Sequence, residues 1–206
     1  EMITVMPRRR TERARSWSTE PADLSYLDKT PGGDQLWLRM QKDGEWSEPV
    51  AVTAGQGDLY KCGVAVDGKG RAWIFWSANP NWTKQGLANF DIWARSFENG
   101  KLSEPINLSS NPGNDVTPVA TTDSAGRVWV AWQGARDNVF RILERHQNQD
   151  GSWSAERTVS SQSYSCWTPA IAATVKRGGR VAIAWDTYEK GDYDVWIHEF
   201  SGDQAG

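Results

Sequence analysis

Two cysteines and two histidines are all that the 206 residues contain, and each shortage removes a class of chemistry. Cys62 and Cys166 are too few for a disulfide scaffold, leaving one bridge at most. They fall at non-equivalent positions of the repeat described below, so two buried free thiols are expected. No CxxC and no Cys/His cluster at ligand spacing occurs, which argues against structural zinc. His146, placed in a turn, and His198, placed on a strand, have no Ser or Cys beside them in a nucleophile motif such as G-x-S-x-G. Long apolar runs are missing as well, and nothing approaches the ~18 to 20 residues of a membrane helix. Charge of one sign is equally scarce. With 23 basic and 26 acidic residues the net charge is −3, which is not the footprint of a nucleic-acid binder.

What little charge asymmetry exists lies in residues 1–16, where five arginines (Arg8, Arg9, Arg10, Arg13, Arg15) against Glu1 and Glu12 give +3 and leave −6 for the rest. A solvated basic N-terminal segment is expected over 1–22. The chain opens on Glu1-Met2 with no signal-peptide n-region or h-region, as a processed, cloned or fragmentary start would. Aromatic usage is inverted: 13 Trp stand beside five Tyr and five Phe. Composition is otherwise that of a soluble globular protein.

Self-similarity organises the sequence. DGKGRAWIFW (67–76) recurs as DSAGRVWVAW (123–132) and GGRVAIAW (178–185). Downstream lie FDIWAR (90–95), NVFRIL (138–143) and YDVWIH (193–198), with QLWLRM (35–40) as an earlier copy, then GEWSEPVAVT (44–53), GKLSEPINLS (100–109) and GSWSAERTVS (151–160). Each block is β-branched and aromatic, short, and punctuated by Gly, Asn and Asp, so each reads as a strand. The unit is A-turn-B-loop-C-turn-D. Strand B is almost wholly apolar, as a strand covered on both faces must be. Four-stranded antiparallel units of this length, stacked face to face, are β-propeller blades, and the expected fold is all-β with about four of them: 23–52, 57–109, 110–160 and 161–202, then a tail at 203–206. Most tryptophans recur at fixed blade positions and fill the wedges between blades.

The pattern GRVWVAW…YDVWIHEF…GxWSEP resembles the TolB-like and sialidase-like propeller repeats of bacterial proteins. That resemblance implies a secreted or periplasmic setting and specifies fold better than activity. The sialidase Asp box is approximated at Thr121–Trp129, with one residue too many between Asp123 and Gly126.

Blade 1 shows B, C and D; blade 4 shows A, B and C. The segment 17–21 (WSTEP) echoes 46–49 (WSEP) and could supply the missing outer strand of blade 4. Three arrangements stay open: part of a larger ring with further blades, a compact four-bladed ring, and a ring completed by a second chain.

Function is expected on the face that carries the B-to-C and D-to-A loops. The long loop 77–90 holds Trp82, which matches no repeat position, with Asn79, Asn81 and Lys84 beside it, a set able to stack on a sugar ring and bind its hydroxyls. Trp167, Tyr188 and Arg136 lie toward the same face. Asp186, Glu189 and Asp192 fall in one loop, enough oxygen ligands for calcium if it curls; no other cofactor is indicated. Asp194, aligned with Asp91 and Asn138, reads as a strand cap. Arg71, Arg127 and Arg180 follow a turn Gly on the opposite face and are expected to pair locally with Asp67 and Asp123. The leading expectation is a non-catalytic module binding a glycan or a protein partner. A sialidase-like glycoside hydrolase, with a carboxylate pair beside the channel, and a purely architectural fragment are the alternatives.

Overall fold

A computed structural model of the chain describes residues 23–55, 57–79, 89–109, 111–161, 163–174, 176, 178–189 and 191–201. Every described element is a strand, and the strands form four antiparallel sheets. Sheet 1 holds β1 (Asp23–Thr30), β2 (Gly33–Lys42), β3 (Glu45–Trp46) and β4 (Val50–Ala51). Sheet 2 holds β5 (Asp58–Val66), β6 (Ala72–Asn79), β7 (Asp91–Glu98), β8 (Lys101–Leu102) and β9 (Ile106–Asn107). Sheet 3 holds β10 (Asp115–Thr122), β11 (Val128–Arg136), β12 (Val139–His146) and β13 (Arg157–Thr158), and sheet 4 holds β14 (Cys166–Ala173), β15 (Arg180–Glu189) and β16 (Asp192–Ser201). These are propeller blades.

The tight turns entering strand B are built by one aspartate each. Asp123 Oδ1 accepts the N–H groups of Ala125 and Arg127, both at 2.9 Å, while Oδ2 accepts Arg127 Nε at 2.8 Å and Trp129 Nε1 at 2.9 Å. Asp67 repeats this with Lys69, Arg71 and Trp73. Burial works to raise the Asp67 pKa, but these hydrogen bonds outweigh it and hold the carboxyl below its ordinary value. In blade 4 the position falls to Thr174, whose Oγ1 accepts Arg180 N–H at 2.8 Å, and Arg180 pairs with Glu199 instead.

Strand register corrects one alignment. Trp76 faces Trp93 and Trp185 faces Trp196, but Trp132 faces Leu143. Arg141, not Asn138, therefore stands at the level of Asp91 and Asp194. The NVFRIL block thus aligns two residues too early against FDIWAR, and its Asn138 three residues too early as a cap. His146 closes β12 rather than lying in a turn; its ring stacks on Trp129 at 4.4 Å and its Nδ1 meets Glu144 at 3.2 Å.

Three apolar cores lie between successive blades. Leu36, Leu38 and Val52 pack on Val64, Ala72, Ile74 and Trp76; Phe75, Ile92, Ala94 and Leu108 pack on Val128, Val130 and Trp132; Ala131, Ile142 and Val159 pack on Val181, Ile183 and Trp185. Each blade thus presents a forward face to the backward face of the next. Cys62 and Cys166 are free and buried in the first and third cores; burial pushes the Cys62 thiol up to about 11. Inner strand β5 packs on β10, and β10 on β14. Among the described residues blade 1 has no inner strand and blade 4 no outer strand. The expected closing strand at 17–21, within the basic segment 1–22, lies outside them.

Candidate functional site

Each inner strand breaks its register at one place. β5 shifts between Tyr60 and Cys62, β10 between Val116 and Val119, and β14 between Trp167 and Ala170. At each bulge one side-chain-bearing residue takes a left-handed conformation: Lys61 at φ 56°, Thr117 at 60° and Thr168 at 50°. An L-residue there costs roughly 1–2 kcal/mol, most for a β-branched threonine. Three such costs at equivalent positions on one rim mark a constructed feature, since bulges re-aim side chains and local strain gathers at functional sites.

The residue opposite each bulge lies on strand B, being Ser77, Gln133 and Asp186 in blades 2, 3 and 4. Ser77 Oγ accepts the Thr117 N–H of the next blade at 3.2 Å, and Gln133 Oε1 accepts the Thr168 N–H at 3.4 Å. Asp186 is the third member of the series, and its carboxylate has no hydrogen-bond partner among the described residues.

These elements enclose a pocket of about 570 Å³ lined by Tyr60, Lys61, Val116, Thr117, Gln133, Trp167, Thr168, Asp186 and Tyr193. That volume suits a small ligand. Aromatic walls stand at Tyr60, Trp167 and Tyr193; Tyr60 is held edge-on against Phe90 at 6.5 Å, and Tyr193 lies tilted against Tyr188 at 4.9 Å. Lys61 Nζ lies 5.6 Å from the Tyr60 ring centroid. One ammonium, one carboxylate, an amide and two threonines supply polar contacts around them.

A second polar cluster lies behind β10. Asp115, fully buried, accepts Trp132 Nε1 at 2.9 Å and pairs with Arg136 at 3.0 Å, and Arg136 also grips Glu156 at 2.9 Å. Burial drives the Asp115 pKa up to about 6, against the pull of Arg136 and Trp132. Asp91 is raised for the same reason, opposed by its bond from Asn107 and by Arg136. Two carboxylates do converge here, but Arg136 fills the space between them that a sugar and a water would need. Asp186 is the carboxylate that lines the mouth.

The sequence-derived candidates divide unevenly. Trp82, Asn81 and Lys84 lie outside the described residues. Asn79 ends β6 and is buried, so it does not present itself to a ligand. Arg136 is engaged by Asp115 and Glu156 and braces the fold. Trp167 lies within β14 rather than in a loop, and the bulge aims it into the mouth. Tyr188 is exposed and supports Tyr193. The segment expected as a loop that could hold calcium is a hairpin: β15 extends to Glu189 and β16 starts at Asp192, so Asp186, Glu189 and Asp192 are spread along paired strands. No group of three potential metal-ligating side chains occurs among the described residues. Tyr60, Lys61, Thr117 and Thr168 escaped sequence reading, because a left-handed Lys or Thr inside a strand leaves no compositional mark.

No family model and no curated protein matches the chain. Solved structures do. A Hadza microbial sialidase matches at TM-score 0.57 and 16% identity, over 80% of this chain and 38% of its own. An ulvan lyase, a polysaccharide lyase, matches at 0.58 and 12%, over 88% and 53%, and one of its structures is bound to -[GlcA(1-4)Rha3S]-. NanB sialidase from Streptococcus pneumoniae matches at 0.51 and 13%, over 82% and 26%. The chain thus spans about half or less of the length of these structures, and the likeness is one of fold.

Proposed function

We propose that the chain is a carbohydrate-binding β-propeller module that takes a saccharide in the mouth over its bulged inner strands. The observation that carries this reading is the pocket itself, in which Trp167, Tyr60 and Tyr193 offer aromatic faces and Lys61, Gln133, Thr168 and Asp186 offer donors and acceptors. Aromatic faces bury the apolar side of a sugar ring while fixed polar groups select its hydroxyls. The sialidase and polysaccharide-lyase neighbours support a carbohydrate-related role. Among the described residues Asp186 is the one carboxylate that lines the mouth, whereas two-carboxylate glycoside hydrolysis needs a pair, and on that ground we favour binding over hydrolysis of that kind. A secreted or periplasmic setting suits a polysaccharide ligand.

The test is a glycan array with the intact chain, followed by titration of the best saccharide. Trp167→Ala is expected to weaken binding about thirtyfold, the roughly 2 kcal/mol of an aromatic anchor, with folding unchanged. Absence of binding to every arrayed glycan refutes the proposal, and turnover of a bound glycan would restore the hydrolase reading.

A further inference from the structure

The charges of the mouth are few and set apart. Among the described residues that line it, Lys61 is the one cation and Asp186 the one anion. Inner strand β10 packs against both β5 and β14, so blade 3 stands between the two charges, and it lends the mouth only uncharged side chains, Val116, Thr117 and Gln133. Neither Lys61 nor Asp186 enters an ion pair among the described residues; the ammonium meets the Tyr60 ring, 5.6 Å from its centroid. Arg136 is already taken by Asp115 and Glu156 and balances neither. Two opposite charges thus face the mouth from opposite flanks. One of them sits on a residue held in a left-handed conformation, at φ 56°, and strain of that kind gathers at functional sites.

A saccharide that fills the mouth takes water from both groups. A neutral sugar returns only hydroxyls. A singly charged one gains a charge-assisted bond on one flank and meets a like charge on the other, whereas a sugar of both charges gains on both. We propose that the mouth selects a saccharide carrying both a free amino group and an acidic group, with its ammonium on Asp186 and its acidic group on Lys61. Trp167 is the register partner of Asp186 across β14 and β15 and lines the mouth beside it. The ammonium therefore also lies near an indole, the side chain that attracts cations best. At the other end the Lys61 ammonium donates to the anion. The inference rests on the carbohydrate reading above and narrows its ligand from saccharides at large to zwitterionic ones.

Calorimetric titration of the full chain with four related sugars tests it: muramic acid carries both groups, N-acetylmuramic acid only the acid, glucosamine only the amine, and N-acetylglucosamine neither. Muramic acid is expected to bind about tenfold more tightly than either singly charged sugar, the worth of one charge-assisted bond. That ranking is read on the unaltered chain and needs no variant. Asp186→Asn should then abolish the discrimination against N-acetylmuramic acid and keep that against glucosamine, and Lys61→Gln should do the reverse, each with an unchanged circular dichroism spectrum. Tighter binding of a singly charged sugar, equal affinity for all four, or a preference untouched by both substitutions overturns the inference while leaving a carbohydrate site in place. Binding of other arrayed glycans but of none of the four overturns it as well. Absence of binding to every arrayed glycan is a different result, the failure of the carbohydrate reading on which this one rests.

Discussion

Replacing Asp123 by alanine tests how the blades are pinned. The carboxylate is buried and accepts four hydrogen bonds, two from turn amides, one from the Arg127 guanidinium and one from the Trp129 indole. Arg127 and Trp129 are themselves buried, and the substitution takes the Asp123 acceptor away from both side chains. Removing one partner of a buried ion pair costs about 3–5 kcal/mol, a large share of the ~5–15 kcal/mol that holds a typical domain. Asp67→Ala removes the same set of bonds, but its Arg71 side chain is 24% exposed against 10% for Arg127, so water recovers more of the loss and about 2 kcal/mol is expected. Thr174→Ala deletes one exposed bond, worth about 1 kcal/mol or less. Urea unfolding at constant m-value reads the series. Equal costs at the three turns, or less than about 1 kcal/mol at Asp123, would refute the argument that one carboxylate organises each turn.

Two further expectations concern the cluster behind the mouth. Asp115 is raised by burial to about 6, from 3.8. Between about pH 4 and 6 the folded chain therefore holds a proton that the unfolded chain has released, and this group's contribution to stability falls as pH rises, by roughly 3 kcal/mol in all. Asp115→Asn should remove that falling component, so the stability of the variant relative to the native chain should climb across the same window; a constant difference contradicts it. Gly134→Ala should destabilise by about 1–3 kcal/mol through overpacking, because a Cβ there collides with the Asp115 carboxylate and Leu143. Thermal unfolding measures the change, and no change would mean that β11 yields more easily than the packing implies.

How much of this could be read in the sequence depends on whether a feature repeats through side-chain chemistry or through backbone shape. The Asp-x-x-Gly-Arg turns and the apolar B strands repeat through side chains, and the pairing of Arg71 with Asp67 and of Arg127 with Asp123 follows from them. Strand C of blade 3 was misplaced by two residues because Leu143 stands where the other copies have Trp, so the motif's strongest letter was missing. The bulges repeat through backbone shape alone: Lys61, Thr117 and Thr168 share a left-handed φ and nothing in composition. Hence Trp167 was singled out for its type while its neighbours in the pocket were not. The hairpin at 189–192 is a reverse case: Asp186, Glu189 and Asp192 read as one loop in sequence, whereas strand pairing sets them along β15 and β16.

The most direct measurement of the central claim is a structure of the chain with the saccharide selected on a glycan array. The account predicts a sugar ring against Trp167 in the mouth, within hydrogen-bonding reach of Lys61, Gln133 or Asp186 and over the bulges of β5, β10 and β14. A saccharide bound on another face, with the mouth empty, would contradict it.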